Sequence, residues 1–301
     1  MNVSASGSAT RRRVALLIPA IAIITAFSVL PLAVVVIYSF LTPADYGGVV
    51  WSPSIQGWFS VLWERDIFDD TLSLSQAHVV ILGRSIILAS ATTLLTLLFG
   101  LPTAWFIATR SPRSRGIWML LITIPFWTNL LVRTIAIQEM IRAQGIVNSF
   151  LLWTGAVEAP LQMMFTNFAI LLGMTYVFLP LMVLPVYTAV ERFDFGQAEA
   201  AYDLYASRLV CLRRVILPAV KPGIIAGSIL VFVPSLGSYV TPRLMGGGTT
   251  MMIGNLIDLQ FGQGRNWPLG AALSVTLTVI VMLALLVYVR AVTPKKDRRH
   301  G

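Results

Sequence analysis

Two carboxylates four residues apart, Glu199 and Asp203, lie in an alanine-rich stretch that reads Glu199-Ala200-Ala201-Tyr202-Asp203-Leu204-Tyr205-Ala206-Ser207. Arg208, Arg213 and Arg214 follow, then Leu217-Pro218 and Pro222-Gly223. On a helix the spacing puts both acids on one flank. The short alanines beside them let another surface come close to the backbone, so the chemistry on offer is docking. Other chemistry is missing from the sequence. Histidine occurs only at His78 and His300, and no His-x-x-x-His or Cys-x-x-Cys spacing exists to hold a metal. Neither Gly-x-x-x-x-Gly-Lys-Ser/Thr nor Gly-x-Ser-x-Gly occurs. Gly246-Gly247-Gly248 has no lysine to contact phosphate and reads as a flexible turn. The lone cysteine, Cys211, excludes a disulfide framework and reads as an inert helix residue. The chain is therefore expected to be no enzyme, with no cofactor and no metal of its own.

The elements around this island are apolar. With 56% hydrophobic and 12% charged residues, the chain falls outside the range of soluble globular proteins. A helix needs about 20 apolar residues to cross a bilayer. Six spans meet that length, at about 14–40, 79–108, 116–137, 168–190, 224–240 and 269–289. The expected architecture is an all-α membrane protein of six transmembrane helices: a tail 1–13, a transmembrane domain 14–290 with the island in a loop 191–223, and a basic tail 291–301. Arg11-Arg12-Arg13 resembles the start of a signal peptide, but the apolar run after it is too long and lacks a small-x-small cleavage site, so it reads as a retained helix.

The net charge of +9 sorts by loop, which makes it a topology signal and not a nucleic-acid one. Arg110, Arg113 and Arg115 follow span two; Arg192, Arg208, Arg213, Arg214 and Lys221 follow span four; Arg290, Lys295, Lys296, Arg298 and Arg299 follow span six. With Arg11 to Arg13 these alternate loops hold 16 of the 22 basic residues. Both termini and the island are thus expected on the cytoplasmic side of the membrane. The loop after span one carries Asp45, Glu64, Asp66, Asp69 and Asp70 and faces outward. Trp51, Trp58 and Trp63 in it suit interfacial anchoring.

Within the island, Asp194 and Gln197 form a capping-box pattern that starts a helix near Phe195. Ala198, Ala201, Tyr202 and Tyr205 then recur at helical spacing as a narrow docking face. Ser207 is placed to cap a second short helix whose apolar stripe is Leu209, Leu212 and Ile216. Leu217-Pro218 is expected to end it, because proline disfavours helical geometry in the residue before it. Pro222 at the start of the next helix needs no donor, and Gly223 permits close packing.

Glu199-Ala200-Ala201, Val215 and Leu217-Pro218, at their spacing, resemble the EAA loop of ATP-binding-cassette importer permeases. Pro125-Phe126-Trp127-Thr128-Asn129, Met252-Ile253-Gly254-Asn255 and Asn266-Trp267-Pro268-Leu269-Gly270 are similar to the spermidine/putrescine permease subunits of that group. The resemblance implies a type I importer permease (MetI-like) with cytoplasmic coupling helices. Its partners would be a cytoplasmic ATPase dimer, a second homologous permease, a periplasmic substrate-binding protein and the lipid bilayer. It implies ATPase coupling by Glu199, Ala200, Ala201, Asp203, Tyr205, Leu217, Pro218 and Gly223. One position departs: Tyr205 stands where the family has glycine. If that glycine takes positive φ, tyrosine costs about 1 to 2 kcal/mol there.

A polyamine is a flexible cation, so its path should offer acids, carbonyls and aromatic faces. Candidates are Trp127, Asn129, Glu139, Tyr176, Tyr239 and Asp258. Helix packing is the stronger account of the aromatics, while Glu139 and Asp258 are the better candidates because an acid near the membrane needs a reason, although pairing with Arg142 or Arg265 is a sufficient one. Arg84, Arg133 and Arg243 oppose a cation. Arg84 and Arg243 can snorkel outward; Arg133 either pairs with Glu139 or points to a zwitterionic substrate such as an amino acid or opine-like compound. An ion-coupled secondary transporter is the competing mechanism, but it calls for a mid-span acid or histidine and an internal repeat, and neither is evident.

Overall fold

The computed structural model describes residues 5–65, 72–248 and 250–292. Asp66, Asp69 and Asp70 of the outward loop, and Lys295, Lys296, Arg298, Arg299 and His300 of the tail, lie outside them. Among the described residues five helices are long and apolar enough to cross a membrane: Leu17–Tyr38, Gln76–Ala108, Asn167–Glu191, Arg208–Leu236 and Trp267–Leu286. A sixth crossing is available if Pro112–Trp127 and Leu130–Trp153, bent by 98°, act as one broken span. The sequence predicted an unbroken helix over 116–137; the bend at Thr128 and Asn129 corrects it.

One compact unit comprises residues 1–75 and 259–279. It holds helix α1 (Ala5–Tyr38), the strands β1 (Leu41–Pro43) and β2 (Val49–Pro53), the short helix α2 (Gln56–Leu62), and the strands β3 (Trp63–Arg65) and β4 (Leu72–Leu74). Two antiparallel ribbons, β1 with β2 and β3 with β4, give backbone order to a loop for which the sequence reading offered only charge and tryptophans. Trp58 is more than an interfacial anchor: its Nε1 donates to Ser39 Oγ at 3.1 Å and its ring lies 5.7 Å from Phe40. Trp51 is exposed, and Trp63 stacks on Phe59.

The other unit, 76–258 with 280–301, contains the main helical core. It is built on α3 (Gln76–Ala108), α4 (Pro112–Trp127), α5 (Leu130–Ile141), α6 (Ile146–Trp153), α7 (Asn167–Glu191), α8 (Gly196–Asp203) and α9 (Arg208–Cys211). A π-turn (Leu212–Ile216) leads into α10 (Leu217–Leu236), followed by α11 (Val240–Gly246) and α12 (Ile253–Phe261). The last helix, α13 (Trp267–Val292), supplies residues to both units. At 33 residues α3 is about 50 Å long, more than the roughly 30 Å hydrocarbon core requires, so it extends beyond the bilayer.

Lipid is as apolar as leucine, so helices there associate by close packing of small residues more than by expulsion of water. The buried stripe of α3 follows this rule: Ser85, Ala89, Thr92, Thr96, Gly100, Ala104 and Ala108 recur every three or four residues. It faces α7 and α10, and around this contact lie Met182, Val183, Val186, Val190, Val220 and Val231. A Cβ on Gly100 would sit 2.9 Å from Met182 Cγ. Gly223 of α10 is tighter still, because a Cβ there would strike Ala189 Cβ and lie 2.6 Å from the Pro185 carbonyl oxygen. Gly223→Leu is expected to destabilise the chain by about 1–3 kcal/mol, seen as a lower midpoint in thermal unfolding in detergent. Gly83→Ala, at a site with nothing within 4 Å, should leave that midpoint unchanged or raise it. Equal effects of the two would refute close packing at Gly223.

Candidate functional site

The island folds as a small helical hairpin seated on the α3 end of the core. Asp194 Oδ1 accepts the Gly196 N–H at 3.0 Å, one residue short of the Gln197 N–H that a capping box would use, and Phe195 takes the cap position without a side-chain bond. Ala198 is buried and Ala201 half-buried; with Phe193, Cys211, Ile216, Val215 and Trp105 they form a local core. The docking face expected from Ala198, Ala201, Tyr202 and Tyr205 is therefore split. Its alanines face inward, because only short side chains let α8 seat this closely, and Glu199, Ala200, Tyr202 and Asp203 face outward.

The turn after α8 meets the expectation about Tyr205. Its φ is +59°, the left-handed region. The Tyr205 N–H donates to the Tyr202 carbonyl at 2.9 Å and the Ala206 N–H to the Ala201 carbonyl at 3.0 Å, a Schellman closure in which glycine is the usual occupant. The tyrosine side chain is 99% exposed, so no intramolecular contact offsets the backbone strain. Ser207 caps α9 as expected, its Oγ accepting the Val210 N–H at 3.4 Å. The buried Cys211 thiol beside the Tyr202 hydroxyl holds that phenol above its ordinary pKa.

Leu217-Pro218 does not end the helix. The Leu217 N–H reaches five residues back to the Leu212 carbonyl, and this wider π-turn admits Pro218, which has no N–H and whose ring crowds an α-turn. Helix continues from Arg208 to Leu236, with Pro222 in its interior. The π-turn also brings Cys211 and Ile216, five residues apart, to one buried face and leaves Leu209 and Leu212 exposed, against the expected stripe of Leu209, Leu212 and Ile216. Leu217 is half-buried, Pro218 exposed and Gly223 buried. A groove of about 600 Å³ runs beside α8, lined by Thr188, Arg192, Asp194, Gln197, Pro222 and Gly223 among others.

The residues proposed for a substrate path fall in two clusters, with Glu139 apart from both. Trp127 and Asn129 stand at the α4–α5 break, where the Thr128 N–H and hydroxyl both donate to the Pro125 carbonyl, at 3.2 and 2.7 Å. Asn129 Oδ1 accepts the Leu131 N–H at 2.8 Å, which makes it the N-cap of α5; Trp127 is 84% exposed. Arg133, on the next turn of α5, donates to the Val177 carbonyl at 3.4 Å, which sets α5 against the stretch of α7 that carries Tyr176. Tyr239 and Asp258 form the second group: the Tyr239 carbonyl accepts Asn255 Nδ2 at 2.7 Å, and Asp258 accepts Arg243 Nη1 at 2.8 Å. Arg243 is thus paired and does not simply snorkel. Glu139 pairs with Arg142 at 2.9 Å, and the alternative Arg133–Glu139 pair is absent. Arg133 is buried, 5.9 Å from the Phe126 ring centre, with its Nε unpartnered among the described residues.

One group was not singled out by sequence reasoning. Glu191 at the end of α7 accepts from Arg115 Nη1 at 2.7 Å and from the Tyr187 hydroxyl at 2.8 Å. The Tyr187–Glu191 spacing of four was visible in the sequence; the arginine 76 residues away was not.

Residues 92–296 match the family described as "Binding-protein-dependent transport system inner membrane component". The chain is 42% identical over 221 residues to the spermidine/putrescine transport system permease protein PotB of Escherichia coli (strain K12), covering 73% of this chain and 80% of that protein. It superposes with a TM-score of 0.68 on a chain of a bacterial ABC transporter involved in the import of the acidic polysaccharide alginate, at 17% identity over 95% of this chain and 97% of that one. The alginate transporter in complex with an alginate pentasaccharide-bound periplasmic protein matches with a TM-score of 0.67 and 17% identity, over 93% of each chain. With the family match over 92–296 and 42% identity to a permease over 73% of its length, the chain belongs to the family of binding-protein-dependent transport system inner-membrane components.

Proposed function

We propose that this chain is the membrane-spanning permease subunit of an ATP-driven importer and that its substrate is a polyamine of the spermidine or putrescine kind. The observation that carries the coupling role is α8 with its left-handed turn. Glu199, Asp203 and Tyr205 point outward from a helix whose small side chains lock it to the core, and the sequence holds no nucleotide motif of its own. ATP hydrolysis then belongs to a separate ATPase dimer docking on α8, with a second permease and a periplasmic binding protein completing the assembly. Charge sorting among the loops supports cytoplasmic termini and a cytoplasmic α8. The substrate class is supported by the name of the Escherichia coli relative. Trp127, Asn129, Tyr176, Tyr239, Glu139 and Asp258 are the path residues; an amine entering would take the place of Arg142 beside Glu139 and of Arg243 beside Asp258.

The buried, carboxylate-free Arg133 favours a second reading, a substrate that itself carries a carboxylate, such as an amino acid or opine-like compound. Proteoliposomes containing the complete transporter and its binding protein decide between them. ATP-dependent uptake of labelled spermidine or putrescine, uncompeted by amino acids, is the expected result. Uptake of amino acids alone would transfer the assignment to the second reading. Uptake by this chain alone under an ion gradient would overturn both.

A further inference from the structure

The Arg115 guanidinium joins three helix ends. Its Nη1 donates to Glu191 at the end of α7, and its Nη2 donates to the Ala108 carbonyl at 2.7 Å and the Arg110 carbonyl at 3.4 Å, at the end of α3. Arg115 itself lies in the first turn of α4. An isolated ion pair as exposed as this one, 27% and 41%, contributes little by itself. Geometry is what this one adds, since the planar fork serves acceptors on two helices at a fixed angle and an ammonium cannot.

Apart from this junction the helix is held chiefly by apolar contacts, among them Trp118 edge-on to Phe106 of α3 at 5.3 Å. No residue of α4 is buried; Met119 and Ile122 touch the core while only half-buried. Its far end is the 98° break. On the other side of the junction the link from α7 to α8 is stiff. Phe193 is buried with Ala198 and Cys211, and Phe195 sits edge-on to Phe193 at 5.4 Å and to Trp105 of α3 at 5.6 Å. A displacement of α8 must therefore carry the ends of α3 and α7 with it, and Arg115 is the polar connection from those ends to α4.

We propose that Arg115, held by Glu191, is a positioning residue that transmits movement of α8 to α4 and so sets the α4–α5 break beside which Trp127 stands. The inference rests on the ATP-driven import reading, because an ATPase is what would move α8. The test is substrate taken up per ATP hydrolysed by the complete transporter in proteoliposomes. Glu191→Gln keeps shape and loses charge; Arg115→Lys keeps charge and loses the fork. Each is expected to assemble, to hydrolyse ATP within about twofold of the unaltered transporter, and to lose about tenfold in uptake per ATP. The combined variant should be no worse than the poorer single one, because both act through one connection. Hydrolysis and uptake falling in parallel, failure of both variants to assemble, or a combined loss equal to the product of the single losses would each overturn the proposal. An unaltered transporter that takes up nothing with ATP overturns the import reading itself, a separate outcome read in the same assay.

Discussion

Glu199→Arg is expected to leave the chain folded and inserted while reducing ATP-driven uptake by about 30-fold or more. Glu199 is exposed in the first turn of α8 and forms no ion pair among the described residues. Reversing its charge there costs the isolated helix only a few tenths of a kcal/mol, through the less favourable match to the positive end of its dipole. The consequence falls on whatever α8 meets. Disrupting one hydrogen-bonded charge at a protein interface costs about 2–5 kcal/mol, and 2 kcal/mol is already about 30-fold in affinity. Two measurements check it: co-purification of the ATPase with tagged permease, and substrate-stimulated ATP hydrolysis in proteoliposomes. Unaltered values of both would remove α8 from the coupling path.

Tyr205→Gly should act in opposite directions on the loop and on its partner. The tyrosine occupies the left-handed position of a Schellman turn, and its ring touches nothing within the chain. Glycine relieves about 1 kcal/mol of backbone strain, so amides of α8 and its turn should exchange with solvent about fivefold more slowly. On the proposed docking of the ATPase at α8 the exposed ring would enter a pocket on that partner, and truncating a tyrosine anchor costs about 2 kcal/mol or more of binding. Affinity for the ATPase should fall about 30-fold although the loop has become more stable. Tyr205→Ala separates the contributions, because it removes the ring and keeps a Cβ in the strained position. It should lose the affinity without gaining the protection. Full affinity in both variants would mean that the ring contacts no partner, leaving the strain unexplained.

Much of this site was legible in the letters of the chain. The cap at Ser207 and the strain at Tyr205 follow from local backbone chemistry, which depends on residues two or three positions apart, whereas the tight seat at Gly223 is set by Ala189 and Pro185 of α7. Which side of α8 faces outward was not legible. Alanine serves equally as a docking surface and as a spacer that lets a helix approach a core, and only the positions of Phe193, Cys211 and Ile216 decide for the second. Proline at 218 was read as a stop because the rule against it holds for α-turns; a π-turn relaxes the rule, and nothing in the five letters Leu212 to Ile216 announces one. Asn129 was read as a polar group on a substrate path, and the structure gives it a capping bond as well, which a break in the helix makes necessary.

Membrane class, the number of apolar segments, the sorting of charge and the absence of any enzyme motif are additive or local properties, and counting residues along the chain was enough to read them. The 98° break, the inward turn of the alanines, the pairing of Asp258 with Arg243 in place of the expected Arg265 and the bridge from Arg115 to Glu191 all depend on which helix ends meet in space. Those meetings depend on shape complementarity among α3, α7 and α10, where small residues in lipid decide how closely backbones approach. The sequence shows two acids four residues apart at Glu199 and Asp203; the packing beneath them decides which face of α8 they share.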